Sequence, residues 1–192
     1  MQKNRIDQIS EINKDKLLNF TFNGKKMQGY QGDTLASALL ANDIKIVGRS
    51  FKYHRPRGIV ASGAEEPNAI FQIGSGAKTA AGLKATQVDL YDGLIATSKK
   101  GWPSINFDIA IINDWMSKAF GAGFYYKTFM YPAKFWKFYE FFLRKLSGFG
   151  SAPDQKDPDN YDHKNIHCDL LIVGAGPAGL MSALCAVQTG AK

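Results

Sequence analysis

The stretch LLNFTFNGKKMQ, residues 17–28, decides how the fold begins. Apolar and polar residues alternate imperfectly on either side of the dipeptide Asn23-Gly24. That dipeptide between two short apolar runs is the usual signal of a tight hairpin, because both residues tolerate positive φ. We therefore predict two antiparallel strands joined at Asn23 and Gly24.

A short helix is predicted next, in GDTLASALLAND, residues 32–43. Either Asp33 or Thr34 can cap its first turn, and leucines and alanines recur on one face. A hairpin followed by a helix is how a β-grasp domain begins. Short apolar runs then predict strands at 44–47, 68–73 and 86–89, with a turn at 91–93.

The basic sequence GRSFKYHRPRG, residues 48–58, is expected to be a loop. Its cations could grip single-stranded nucleic acid, but the pattern favours ion pairs with Glu65 and Glu66 or docking onto another domain, so we expect no nucleic-acid partner. His54 lacks metal-type neighbours nearby in the sequence, so we expect neither a ligand nor a general-base role. The side chains concerned are Arg49, Phe51, Lys52, Tyr53, His54, Arg55 and Arg57.

An aromatic helical segment is predicted over residues 102–150. Pro132 suits the first turn of a helix over 133–146, and Gly148 and Gly150 can end it. Aromatic residues surround this helix, which favours burial between domains over contact with a membrane surface. The polar run that follows, residues 151–166, reads as a linker.

The sequence CDLLIVGAGPAGL, residues 168–180, predicts a buried strand over 169–173, a glycine turn and a helix. Glycines at these spacings allow a sharp turn, close approach of a pyrophosphate and close helix packing, with the phosphate on the helix N-terminus. A tight turn that binds nothing is the alternative. The predicted dinucleotide contacts are Gly174, Gly176, Pro177, Ala178 and Gly179.

This nucleotide fold is expected to be incomplete. The acidic residue that holds the ribose normally lies about 20 residues beyond the glycines, and the sequence stops at Lys192. The strand would then have no parallel neighbour to cover it.

Composition sets broad limits on function. The net charge of +7 suits an anionic partner or plain solubility. Only Cys168 and Cys185 are present, so a disulfide framework or zinc knuckle is not expected before them. A cytoplasmic protein without a leader or membrane span is predicted.

Three stretches together resemble the alpha subunits of heterotetrameric sarcosine oxidases, and more loosely those of dye-linked amino-acid dehydrogenases and hydrogen cyanide synthase. They are GRSFKYHRPRGIVASGAEEPNA at 48–69, AGFYYKTFMYP with FWKFYE within 122–140, and CDLLIVGAGPAGL at 168–180. The resemblance implies a ferredoxin-like β-grasp domain at the start of the chain. Some relatives hold a 2Fe-2S cluster there through four cysteines. Because residues 59–64 read IVASGA, we expect no iron-sulfur cluster in this chain.

The resemblance also implies NAD at the glycine turn, with FAD and FMN on or with partner subunits. Oxidative demethylation of sarcosine and one-carbon transfer to tetrahydrofolate would use other subunits or distant residues, so we assign no catalytic residue and no metal ligand. The alternatives are a short non-catalytic assembly module that docks onto flavoprotein subunits, or part of a dye-linked dehydrogenase. The expected α+β organisation is a ferredoxin-like β-grasp domain at 1–101, an aromatic helical segment at 102–150, a linker at 151–166 and the start of a Rossmann-type domain at 167–192.

Overall fold

The computed structural model describes residues 4–5, 12–119, 121, 123 and 129–191. The chain forms two compact units, Met1–Asp157 and Pro158–Lys192. Much of the resemblance stretch at 122–132 lies outside the described residues. Among the described residues, no helix has both the length and the apolar character needed to cross a membrane.

The first unit is a mixed α+β structure with a five-stranded sheet and a small two-stranded sheet formed by β3 and β4. Its strands are β1 (Asn13–Phe22), β2 (Lys25–Gln31), β3 (Gly48–Arg49), β4 (Pro56–Arg57), β5 (Ile70–Ile73), β6 (Ala80–Lys84) and β7 (Leu94–Thr97). Its helices are α1 (Leu35–Ala41), α2 (Ile112–Trp115) and α3 (Trp136–Ser147), with 3-10 turns at Gly76–Lys78, Ile109–Ile111, Ser117–Ala119 and Ala133–Phe135.

The predicted hairpin is confirmed. Strands β1 and β2 pair antiparallel, with Phe22 opposite Lys25 across the turn. Asn23 and Gly24 both have positive φ, 48° and 78°, as a two-residue hairpin turn with the right-handed strand twist requires. The turn chemistry of two adjacent residues therefore sets the register of the first two strands.

The predicted helix is confirmed as α1, and Thr34 is its cap. The Thr34 side chain accepts a hydrogen bond from the Ser37 amide, which satisfies a donor that the first turn leaves free. Asp33 is buried and has another role: its carboxylate binds Arg5, the Ser37 hydroxyl and the Tyr30 amide.

The sheet has the strand order β2-β1-β7-β5-β6. Strand β7 runs parallel to β1 and antiparallel to β5, so two distant segments meet at the centre of the sheet. The buried core lies between this sheet and α1 and includes Phe20, Phe22, Leu35, Leu39, Phe71 and Leu94. The turn predicted at 91–93 is present, since Leu94 donates to the Tyr91 carbonyl and Gly93 has a φ of 79°.

Two of the strand predictions and one loop prediction need correction. Residues 44–47 form no strand, because the first ladder after α1 begins at Gly48. Residues 86–89 form a turn whose sole strand-like contact is a bridge between Asp89 and Thr34, and the strand lies earlier, at β6. The basic stretch is not wholly a loop, since β3 pairs with β4 across it.

Helix α3 lies within one turn of the predicted range, 133–146, and ends beside the predicted glycine. Pro132 precedes the turn Ala133–Phe135, which leads into α3. Gly148 ends the helix in the left-handed conformation, with φ 68° and ψ 20°, which glycine adopts without a Cβ penalty. The aromatic side chains of α3 are not buried, contrary to prediction.

The second unit contains one helix, α4 (Pro177–Gln188), within its described residues. The strand predicted at 169–173 is not formed, and Val173 is 90% exposed. The reason is physical: a single apolar strand has no neighbour within this segment to take its backbone hydrogen bonds. Both cysteines, Cys168 and Cys185, are exposed.

Candidate functional site

The loop after β4 closes around one buried carboxylate, that of Glu66. Its Oε2 accepts hydrogen bonds from the amides of Val60 and Ala61, each at 2.8 Å. Its Oε1 accepts from the amides of Asn68 and Ala69, at 2.8 and 3.0 Å. All four bonds go to backbone donors, so Glu66 fixes the path of the loop, not the identity of its side chains.

The charge of Glu66 is stabilised by these donors. Burial in the interior would raise the pKa of the Glu66 carboxyl, but the four amide hydrogen bonds outweigh it and leave that pKa below its ordinary value. The expectation that Glu66 forms ion pairs with the basic loop is therefore wrong. The signal that sequence reasoning missed is that a glutamate directly before a proline, here Glu66 before Pro67, can turn inward and bind its own loop.

Side chains on the loop margin hold the same segment closed. Thr86 donates its hydroxyl to the Gly63 carbonyl at 2.8 Å, and Asn68 donates its amide to the Gly58 carbonyl at 2.9 Å. Lys84 donates to the Ala64 carbonyl. With the four bonds of Glu66, these contacts make residues 58–69 a fixed surface loop.

Arg49 joins the basic stretch to the segment that follows the sheet. Its buried guanidinium donates to the carbonyls of Ile105, at 2.7 Å, and of Asn106 and His54, each at 3.2 Å. A guanidinium carries its donors in a fixed plane, which suits three carbonyls at once. Arg49 is therefore unavailable as a phosphate-gripping cation.

His54 pairs with Asp108, a contact that no local sequence pattern predicts. The His54 Nδ1 lies 2.7 Å from the Asp108 Oδ2, and both side chains are buried. The other oxygen, Oδ1, accepts from the amides of Trp102 and Ala110. Because 54 residues separate the partners, only the tertiary fold could bring them together.

The exposed cations of the basic stretch also have partners. Arg55 donates to Asp114 at 2.7 Å; this hydrogen bond, with the charge of Asp114, raises the pKa of Arg55. The Arg55 guanidinium also lies 4.9 Å from the centre of the Tyr53 ring, within cation–π range. Internal contacts thus engage much of this positive charge. Among the described residues, no cluster of three or more His, Cys, Asp or Glu side chains could hold a metal ion.

The glycine turn brings all five predicted dinucleotide contacts into one bend. Gly174 has a φ of 110°, which allows the reversal, and Gly176 stands at the start of α4 with Pro177 in its first turn. A Cβ at Gly179 would overlap the carbonyl oxygen of Gly174, so only glycine fits there. A Cβ at Gly174 or Gly176 would meet nothing within 4 Å, which leaves open space above the helix N-terminus.

Residues 15–101 match a protein family described as the 2Fe-2S iron-sulfur cluster binding domain. The segment contains the sheet, α1 and the loop around Glu66. The first unit therefore has a ferredoxin-like domain within its mixed α+β fold. The prediction of no iron-sulfur cluster is contradicted by this match, and we correct it: the domain is of the cluster-binding type.

The donor atoms of the matched segment can be compared with those that a cluster needs. A 2Fe-2S cluster is usually held by four cysteine thiolates. Residues 15–101 contain no cysteine, and Cys168 and Cys185 lie beyond them. The loop interior instead contains the Glu66 carboxylate and the four amides bound to it. These side chains do not fit a thiolate-held cluster.

The whole chain is 51% identical, over 193 aligned residues, to the sarcosine oxidase alpha subunit of Rhizobium meliloti (strain 1021). This chain is a relative of the sarcosine oxidase alpha subunits. The alpha subunit from Corynebacterium sp. (strain U-96) is 33% identical over 95% of the chain, and that from strain P-1 is 31% identical over 95%. The resemblance to sarcosine oxidase alpha subunits is thus confirmed.

The chain spans only part of these relatives. It covers 20% of the Rhizobium alpha subunit and 14% of each Corynebacterium one. A solved structure, the L-proline dehydrogenase from P.horikoshii, is 24% identical with a TM-score of 0.37, covering 50% of this chain and 18% of its own. That likeness is too low to carry an argument about fold or function.

Proposed function

We propose that this chain acts as part of the alpha subunit of a sarcosine-oxidase-type oxidoreductase complex. The observation that carries the proposal is the match along its whole length, at 51% identity, to such a subunit. The proposed organisation is the ferredoxin-like domain at 1–101, the aromatic segment at 102–150, the linker at 151–166 and the start of a nucleotide domain at 167–192. We place the complex in the cytoplasm, because a chain with two exposed free cysteines suits a reducing compartment.

The proposed role of the ferredoxin-like domain is structural. Several of its polar side chains make internal contacts. Glu66 accepts hydrogen bonds from its own loop, and Arg49 and His54 bind the segment at 102–110. From the resemblance to sarcosine oxidase alpha subunits, we assign sarcosine demethylation and transfer to tetrahydrofolate to flavin-bearing partner subunits and to other residues of the intact protein.

The proposed binding role belongs to the glycine turn. Gly174, Gly176, Pro177, Ala178 and Gly179 would hold the pyrophosphate of NAD at the N-terminus of α4, where free amides and the helix dipole favour negative charge. When bound, NAD supplies hydride-transfer chemistry. The contribution of this chain is position, because the absence of a side chain at Gly176 would let the phosphates approach the backbone closely.

Substitution of Gly176 tests this role without disturbing the turn. Gly176 has a φ of −73° and open space around its Cβ position, so alanine fits the unliganded fold but stands in the way of a pyrophosphate. Gly121→Ala is the matched control, since a Cβ there also meets nothing within 4 Å. NAD released from the purified native complex is measured by chromatography. We expect Gly176→Ala to reduce the amount of bound NAD at least about tenfold. We expect Gly121→Ala to retain the wild-type amount. Full NAD content in Gly176→Ala would refute the assignment.

The second candidate is a non-catalytic module that docks onto flavoprotein subunits. The exposed aromatic side chains of α3 favour it. The intact mass of the native polypeptide separates the two candidates. A much larger chain with yellow flavin partners supports the alpha-subunit proposal, whereas a polypeptide of this size that co-purifies with flavoproteins and lacks NAD supports the module.

A further inference from the structure

Helix α3 carries an exposed apolar stripe. Phe138, Phe142 and Leu146 follow one another at intervals of four residues, and Phe135 stands just before them in the preceding turn. Each is about half exposed or more. The Phe138 and Phe142 rings meet edge to face, 4.9 Å apart, so the stripe is a preformed surface. We call these four residues the aromatic stripe.

Apolar side chains extend beyond the stripe on both flanks. Successive helix positions are separated by about 100°, which puts exposed Phe141 on one side of the stripe and exposed Trp136 on the other. From Phe138 through the stripe to Trp136 the apolar arc covers about 160° of the helix, and Phe141 lies beyond it, separated from Phe138 by Lys145. Because Phe141 is exposed on the side away from this arc, a flat surface that covers the stripe would leave Phe141 in water, whereas a concave surface can cover both.

The C-terminal end of helix α3 contacts the five-stranded sheet and its loops. We call this part of the first unit, residues 13–101, the sheet domain. A Cβ on Gly148 would overlap Lys100, and the Lys100 ammonium lies 5.7 Å from the centre of the Phe149 ring. The Gln72 side chain accepts a hydrogen bond from the Ser151 amide at 3.4 Å. These contacts hold the C-terminal end of α3 in place and leave the stripe uncovered.

The charges around the stripe are mostly positive. Lys134, Lys137 and Lys145 are exposed, whereas Glu140 is matched by Arg144 one turn away, at 2.7 Å. A partner that complements this arrangement has an apolar groove with acidic residues at its rim. A membrane fits less well, because a helix lying on lipid keeps its polar side in water, and Phe141 stands on that side beside Lys137.

We propose that α3 docks, by its aromatic stripe, into an apolar groove with an acidic rim on a partner protein. Binding of an amphipathic helix in a groove uses side chains at helical spacing as anchors, and aromatic anchors contribute most of the affinity of such interfaces. Phe138 and Phe142 are the central anchors. The lysines orient the helix in the groove.

Photocrosslinking in the native assembly tests the docking. Benzoylphenylalanine replaces Phe142 in the stripe or, as control, Val60, which is exposed on the Glu66 loop. We expect the position-142 probe to crosslink to one protein segment that contains apolar and acidic residues, with little crosslinking from position 60. Crosslinks confined to a second copy of this chain, or no more crosslinking than from the control, would overturn the proposal.

Two sets of substitutions then separate the proposed groove from its rivals. Replacing Lys134, Lys137 and Lys145 together by glutamate should lower the recovery of the crosslinked partner about tenfold or more, while the triple arginine variant retains it. Phe138→Ser, with the probe kept at position 142, should lower it about thirtyfold. Binding of the native assembly to vesicles of phosphatidylcholine and phosphatidylglycerol, lost in Phe138→Ser while protein crosslinking from position 142 is unchanged, would assign the stripe to lipid and refute the groove.

Discussion

The sheet domain and helix α3 use the same kind of side chain in opposite ways. Phe71 in β5 is 1% exposed, whereas Phe138 in α3 is 60% exposed. The sheet domain has α1 to cover its inner face, so its aromatic rings pack on one another, as Phe22 and Phe71 do at 5.0 Å. Helix α3 contacts the sheet domain at its C-terminal end, and its phenylalanine rings stay exposed. The comparison teaches that apolar content measures how much surface must be covered, not which part of the chain covers it.

The largest effect is expected from truncating a phenylalanine in each region. Phe71→Ala should lower the free energy of unfolding of the sheet domain by about 3–5 kcal/mol, because it removes buried surface and leaves a cavity. Phe138→Ala, the same chemical change, should alter it by no more than about 0.5 kcal/mol. Hydrogen exchange of the β1 and β7 amides at increasing urea measures both. Equal destabilisation by the two variants would remove the distinction between the regions.

A smaller effect is expected at the loop carboxylate. Glu66→Ala leaves four backbone amides without their acceptor and should cost about 2–4 kcal/mol; Glu65→Ala, at the exposed neighbour, should cost little. Chemical denaturation of the two variants measures the free energy of unfolding of each. The pair compares a buried carboxylate with an exposed one in the same loop.

The same carboxylate gives the sheet domain an acid dependence. The folded-state pKa of Glu66 lies below the ordinary value of 4.5, so its ionisation stabilises the fold above that value and the stabilisation is lost as the pH falls through the folded-state pKa. Wild type should therefore lose more stability than Glu66→Gln when the pH is lowered from about 5 to about 3. Parallel pH profiles of the two proteins would contradict this explanation.

The smallest effect is expected where the two regions join. Asp108→Ala removes the partner of His54 and the acceptor of the Trp102 and Ala110 amides, which should cost about 1–3 kcal/mol. Asp114→Ala breaks an exposed ion pair and serves as the control, with little change expected. We expect faster amide exchange at Trp102 and Ala110 in Asp108→Ala but not in Asp114→Ala, which would place the loss of stability at this segment. Unchanged exchange there would mean that Asp108 does not hold the junction.

Local chemistry accounts for what was predicted well. The hairpin at Asn23-Gly24, the Thr34-capped helix, the turn at Tyr91–Gly93 and the glycine end of α3 each depend on a few adjacent residues whose backbone preferences are fixed by their side chains. The glycine turn belongs to this class too, since its five residues are consecutive or nearly so. For these features the sequence is sufficient.

Features that depend on distant partners were missed or misplaced. Strand β7 is short, and nothing within it reveals that it will lie parallel to β1. The predicted strand at 169–173 has the right residues but lacks a neighbour to pair with. The His54–Asp108 and Arg49–Ile105 contacts join segments more than fifty residues apart, and no local pattern encodes them.

The sequence by itself determined the turns, the caps, the glycine bend and the relationship to sarcosine oxidase alpha subunits, because each is carried by contiguous residues. Tertiary structure alone decided which apolar residues are buried, which charges are internal and which surface remains to be covered. The physical reason is that burial and ionisation depend on all neighbours in space, whereas backbone conformation depends mainly on neighbours in the chain.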